Sequence, residues 1–303
     1  MSMSIERLSN NLSLIPLTLK RRGFRHFIGA WIYSTGDTVI MVDPGPSSTV
    51  HVLLNALKEM NIFHIDLILL THIHIDHAGG LGTLLKHYPD AKVICHPKGI
   101  PHLVERAGLW AASRKVLGEI AELYGEPEPV PGDSVDFKGR VSIRDTVVTI
   151  HETPGHASHH LSFRIGDLLF VGEAMGIYYQ LDGRFYLRIS SPMGFRIEDY
   201  RKSLALLNDL DASVLCFSHY GLTRDMGKVF KSAADQIEVW SVVIGQCQGL
   251  SSTLFEEKVM EMLMTADPAL SCFRQLPGDI QGREMDLLGN SFKGFMAALN
   301  AAK

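Results

Sequence analysis

Apolar residues recur along the first two thirds of the chain in two alternating rhythms. Short runs rich in Val, Ile, Leu and Phe fall at 12–19, 27–34, 38–42, 66–71, 92–96, 146–151, 161–165, 168–171 and 213–217, and each reads as a β-strand. Between them, apolar residues three and four apart at 49–60, 80–87, 109–123 and 197–210 predict amphipathic helices. Strands that alternate with helices imply sheets covered by helices. Beyond about Leu222 the strand rhythm stops. Helical spacing then predicts helices near 224–246, 252–265 and 285–301, with Asp267-Pro268 and Pro277-Gly278 at the joints. The expected organisation is an α/β unit over 1–221 followed by a helical extension over 222–303.

Composition narrows the class. The chain has 303 residues, of which 46% are hydrophobic and 20% charged, enough to bury a large core and too apolar for dominant disorder. Its formal net charge is -4 and its basic residues are spread out, so no footprint for nucleic acid or an anionic membrane surface is expected. No apolar stretch reaches the roughly 18 residues of a membrane span. Glu6 precedes any apolar run and no small-residue cleavage site follows one, so the N-terminal segment does not read as a secretory signal. Cys95, Cys216, Cys247 and Cys272 are widely spaced without a CxxC pair, which predicts buried thiols in a reducing compartment. Cytoplasm is the expected location.

The chemistry concentrates after the strand at 66–71. That strand runs directly into Thr71-His72-Ile73-His74-Ile75-Asp76-His77-Ala78-Gly79-Gly80. Residues two apart in extended backbone share a face, so His72 and His74 can reach one ion from the strand end. Where the chain turns, Asp76 and His77 can aim at a second. Neutral imidazole and carboxylate are donors that divalent zinc, iron and manganese accept. Four such groups crowded beyond a buried strand would be partly desolvated without an ion, which makes an ordinary structural role a poor explanation.

This run resembles the HxHxDH signature of the metallo-β-lactamase superfamily, and the similarity continues in order along the chain. Asp43-Pro44-Gly45 looks like the first motif of that family, followed by Thr153-Pro154-Gly155-His156, Gly172-Glu173 and Ser218-His219-Tyr220-Gly221. The resemblance implies an αββα sandwich with a C-terminal helical appendage, the metals sitting at one sheet edge of the catalytic domain 1–221. It implies that His72, His74 and His156 hold one metal, that Asp76, His77 and His219 hold the second, and that Glu173 bridges. Asp76 and Glu173 are thereby the carboxylates of the catalytic centre, and Asp43 supports the ligand loop from behind. The family usually has Asp at the bridging position, so Glu173 is a departure by one methylene.

Two divalent ions, zinc by expectation with iron and manganese also accepted by these donors, would activate a water for hydrolysis of a small-molecule ester, thioester, lactone or related bond. The signature is similar to the glyoxalase II type, whose basic glutathione-binding residues have no clear counterpart here. The alternative on the same fold is an iron-dependent oxidoreductase, either persulfide dioxygenase-like or diiron. A metal-holding protein without turnover is a third reading. His159 and His160 are expected in supporting roles, and His26, His51, His64, His87, His96, His102 and His151 are expected to be ordinary. Tyr178, Tyr179 and Tyr220 either orient substrate or pack. The apolar residues after Leu222, among them Val229, Phe230, Ile237, Trp240, Val243 and Ile244, predict a cap over the site mouth or a homodimer contact through the C-terminal helices.

Overall fold

A computed structural model describes residues 5–301; residues 1–4, the first of the N-terminal segment read above, and 302–303 lie outside the described residues. Thr38–Val42, Leu67–Leu69, Lys92–Ile94 and Val135–Asp136 run parallel in a seven-stranded sheet, with Gly29–Thr35, Leu12–Pro16 and Glu6–Arg7 added antiparallel on the other side. A six-stranded sheet carries Thr146–Glu152, Leu161–Ile165 and Leu168–Gly172, the last paired in parallel with Val214–Phe217. The two sheets pack face to face.

Side chains alternate across each strand, and the alternation sorts the core into layers. Leu67 and Leu69 point between the sheets with Trp31, Ile40, Val42, Leu161, Phe163 and Phe170, whereas Ile68 points outward to a second cluster under the helices Val50–Glu59 and Leu81–Leu85. A third cluster lies outside the other sheet, where Leu169, Leu215 and Phe217 pack with the helices Ile197–Asn208 and Met226–Gln246. The layers are thus helix, sheet, sheet, helix, the sandwich that the motifs implied. The apolar residues Val229, Phe230, Ile237, Trp240, Val243 and Ile244 all enter this third cluster, along with Phe292 and Phe295 of the long helix Gly278–Ala301. All four cysteines are buried and free. No described helix is long and apolar enough to cross a membrane.

Several elements differ from expectation. The helix expected over 109–123 is two, Ala107–Leu117 and Glu119–Tyr124, broken at Gly118 with φ of 56°. The first long strand stops at Pro16, because proline has no N–H for the ladder. The last helix starts at Gly278, since the Pro277-Gly278 pair opens it and does not end its neighbour. A two-stranded hairpin, Ile177–Leu181 with Arg184–Arg188, was not among the expected elements. Its signal is present nonetheless: Asp182-Gly183 joins two aromatic-rich runs, and Gly183 takes φ of 64°.

Candidate metal centre

All seven sequence-predicted donors come together at one end of the sandwich. His72, His74, His156 and Glu173 form one group, and Asp76, His77 and His219 a second, with the donor atoms of each group within 4.8 Å of one another. Each donor lies just past a strand end. His72 follows the buried strand Leu67–Leu69, while Asp76 and His77 ride the short helix Ile75–Ala78. His156 lies beyond Thr146–Glu152, Glu173 directly after Leu168–Gly172, and His219 two residues past Val214–Phe217. Gly79 allows the turn to close, because a Cβ there would stand 2.2 Å from the Ile75 carbonyl oxygen.

Glu173 occupies the middle. Its Oε2 lies 3.3 Å from His72 Nε2 and 3.1 Å from His156 Nε2 in the first group. The same oxygen is 3.2 Å from His77 Nε2 and 3.9 Å from His219 Nε2 in the second. Asp76 Oδ2 stands 3.4 Å from His219 Nε2 and 3.7 Å from His77 Nε2. The extra methylene therefore still delivers one carboxylate oxygen between the groups. A register shift between Phe170 and Gly172 bends the strand just before Glu173, and Gly172 takes φ of 54°. A Cβ on Gly172 would meet His160 Nε2 at 2.6 Å.

The supporting hydrogen bonds fix which ring nitrogen carries each proton. His156 donates from Nδ1 to the Ser190 carbonyl at 2.9 Å, and His219 donates from Nδ1 to the Phe27 carbonyl at 2.7 Å. His77 donates from Nδ1 to Asp43 Oδ2 at 2.9 Å. Thr71 gives its hydroxyl proton to Asp43 at 2.7 Å, so its oxygen is left to accept from His72 Nδ1 at 3.0 Å. In neutral form these four rings present bare Nε2 lone pairs inward. Lone pairs thus face a carboxylate oxygen that also only accepts, and His72 Nε2 has no hydrogen-bond partner despite lying near Glu173. His74 turns Nδ1 inward, 3.0 Å from His156 Nε2, and His77 Nε2 is 3.1 Å from His219 Nε2. Two nitrogens on a tetrahedral ion at the usual bond length of about 2.05 Å stand roughly 3.3 Å apart, so these spacings fit an ion.

Electrostatics agree with that fit. Burial, with neighbouring imidazoles, pushes His72 well below the ordinary histidine value; burial likewise lowers His156, and takes His74 to about 3. These rings stay neutral and able to ligate. Burial also disfavours the charged forms of Asp76 and Glu173, but the surrounding histidines outweigh it and hold both carboxyls below their usual range. At His77 burial is outweighed by Asp76 and Asp43, which raise its pKa well above normal. A proton at that point does what a cation would do.

Two further histidines lie beside the donor groups. His160 Nε2 accepts the Glu173 backbone N–H at 3.1 Å and its Nδ1 meets Thr153 Oγ1 at 2.9 Å, so His160 pins the backbone of the central carboxylate. His159 lines the adjoining cavity, with its Nδ1 buried and unpartnered. Tyr178 stacks on Phe217 and Tyr220 on His26, and the Tyr179 hydroxyl donates to the His26 carbonyl; none of these tyrosines lines the cavity.

The sequence reading missed Tyr124, Arg188, Leu287, Asn290 and Ser291, which also line that cavity. Arg188 and Arg283, each 2% exposed, share the fully buried Glu284. Glu284 accepts from Arg188 Nε at 2.5 Å, from Arg283 at 2.9 and 3.1 Å, and from the Tyr186 hydroxyl at 2.9 Å. Adjacent Arg283-Glu284 was the only hint in the sequence, and such pairs are usually solvated.

This sandwich, with donors gathered at its strand ends, is the fold of a class of metal-binding proteins. The chain belongs to the metallo-beta-lactamase superfamily, which residues 26–219 match from before the Asp43 loop to His219. The superfamily protein ST1585 of Sulfurisphaera tokodaii is 30% identical over 191 residues, 60% of this chain and 69% of that protein. The crystal structure of ST1585 superposes with a TM-score of 0.67 at 24% identity, covering 97% of this chain and 99% of that one. A hydroxyacylglutathione hydrolase of Pectobacterium carotovorum is 32% identical over 146 residues, 48% of this chain. That match spans 46% of the enzyme's own length.

Proposed function

We propose that the chain is a dinuclear metal-dependent hydrolase in which His72, His74 and His156 hold one divalent ion, Asp76, His77 and His219 hold a second, and Glu173 lies between them. The observation that carries this reading is the single Glu173 oxygen placed within 3.1 to 3.9 Å of histidine nitrogens from both groups. Charge supports it too. Buried Glu173 and the nearly buried Asp76, with Asp43 buried behind His77, gather carboxylates into one small volume that cations would offset. Divalent ions held by these residues would lower the pKa of a bound water towards neutrality and polarise the oxygen of a scissile carbonyl.

The chain's own residues hold the donors in one tautomer, keep the carboxylates ionised and surround the reacting end of the substrate with a mostly apolar wall. None of the four cysteines lines the cavity, and burial pushes the Cys95 thiol up to about 12, so a thiolate nucleophile is not offered there. Zinc is the ion assigned, and His and carboxylate donors also accept iron and manganese. Elemental analysis of protein purified without added metal, paired with an ester, thioester and lactone panel, tests the reading. The expected result is two zinc per chain and turnover that a chelator abolishes. One iron per chain with oxygen uptake and no hydrolysis would replace this reading with an oxidoreductase.

A further inference from the structure

The cavity beside the metal centre has a volume of about 350 Å³. Ligand sites of this kind begin at about 300 Å³, and at about 30 Å³ for a water-sized group this one takes roughly a dozen non-hydrogen atoms. Its floor is the donor cluster. The outer wall is the helix Ala107–Leu117, which places Leu109, Ala112, Val116 and Leu117 on the cavity and has no buried residue of its own. Val116 is 54% exposed, and Met193, another cavity residue, is 64% exposed. Such large apolar side chains beside a catalytic opening mark a surface that something apolar covers.

Charge is scarce along these walls. Apart from Asp76, Glu173 and the histidines of the cluster, the only ionised side chain lining the cavity among the described residues is Arg188, and Glu284 already holds its guanidinium. Ligands bearing several charges, such as glutathione with two carboxylates and an ammonium, would find no free counter-ion away from the metals. Neutral donors line it instead, among them Ser113, Asn290 and Tyr124. Of these, Tyr124 brings a phenol hydroxyl to the cavity wall and is 3% exposed. Burial, with the charges of Asp76 and Glu173, raises its pKa well above normal and keeps it protonated.

Resting on the hydrolase reading, we propose that the substrate is a neutral acyl compound of about six to eight acyl carbons. Its carbonyl lies at the donor cluster, its chain runs against Val116, Leu117 and Met193, and the Tyr124 hydroxyl helps to orient it. The reaction balances as ordinary hydrolysis: the acyl C–O or C–S bond breaks, water supplies the new C–O bond, and the leaving group departs with a proton.

The test uses the holoenzyme and p-nitrophenyl acetate, butyrate, hexanoate and octanoate, with S-lactoylglutathione as the charged comparison. Each fully buried methylene is worth up to about fourfold, so kcat/KM should rise at least tenfold from acetate to octanoate. Val116→Asp with Met193→Asp should bring the octanoate-to-acetate ratio close to one. Val242→Asp, 59% exposed on a helix that does not line the cavity, should keep the wild-type ratio. Separately, octanamide should bind the metal-stripped protein by calorimetry, and S-methylglutathione should not.

A flat chain-length profile, or preference for S-lactoylglutathione over octanoate, would overturn the inference. So would a steep profile that survives the Val116 and Met193 pair of changes. The two readings separate cleanly. Octanamide binding without cleavage of any ester sinks the hydrolase and leaves the cavity assignment standing, whereas acetate cleavage with no octanamide binding does the reverse.

Discussion

Replacing Glu284 by Gln keeps the volume of the side chain and removes the one negative charge between two buried guanidiniums. Arg188 and Arg283 are each 2% exposed, so neither can turn to water without moving the helix Gly278–Ala301 or the hairpin strand Arg184–Arg188. Two routes give the size of the effect. Burial would raise the Glu284 carboxyl, but Arg188 and Arg283 outweigh it and draw the pKa from 4.5 to about 2. At about 1.4 kcal/mol per pKa unit that shift corresponds to about 3 kcal/mol of stability at neutral pH. Breaking a buried ion pair by removing one partner costs roughly 3–5 kcal/mol in other proteins. The estimates meet at about 3 kcal/mol.

The sign of the pH dependence follows. A carboxyl with a depressed folded-state pKa contributes its full stability above the unfolded value of 4.5 and loses it as pH falls towards 2. Urea unfolding of wild type and Glu284→Gln should therefore differ by about 3 kcal/mol at pH 7 and by roughly half that at pH 3. Arg188→Met supplies the contrast. It leaves Glu284 paired with Arg283, with charge in balance, and should cost less than Glu284→Gln. Unfolding energies of wild type and Glu284→Gln that agree within about 0.5 kcal/mol at pH 7 would refute the argument, as would a larger loss from Arg188→Met.

Other expectations follow from the centre itself. His72→Ala, His156→Ala and His219→Ala should each lower metal content and abolish hydrolysis, while Asp76→Ala loses one ion selectively and exposed His102→Ala changes neither; elemental analysis reads all five. Asp43→Ala removes the acceptor for the Thr71 amide and hydroxyl, His77 and Ser218, and should weaken metal binding by about 10- to 100-fold in a chelator competition. Glu173→Gln removes a charge from between the two groups and should release one ion; both ions held at wild-type affinity would move Glu173 out of the bridging position. Tyr124→Phe should lower turnover of the acyl ester with little effect on metal content, which steady-state kinetics and elemental analysis together would read.

The residues from Asp66 to Gly80 determined a great deal by themselves. A buried strand followed by imidazoles at a spacing of two is a local pattern, and local patterns survive in one dimension. The same holds for the order of the motifs, each just past a run of Val, Ile, Leu or Phe, and for the short apolar runs that make both sheets. What the sequence could not carry is convergence. Glu173 reaches both donor groups only because a register shift and the left-handed Gly172 aim it, and His160 supports it by packing across a sheet. The cavity is a further step removed. Its walls combine Val116, Tyr124, Met193 and Leu287, residues that nothing in the sequence marks as neighbours. Arg188 and Glu284 lie far apart in the chain, and their charges look solvated until two elements bury them together. Motif order and short-range periodicity are written locally; substrate space and buried charge pairs arise only when distant segments exclude water together, and only the tertiary structure decides that.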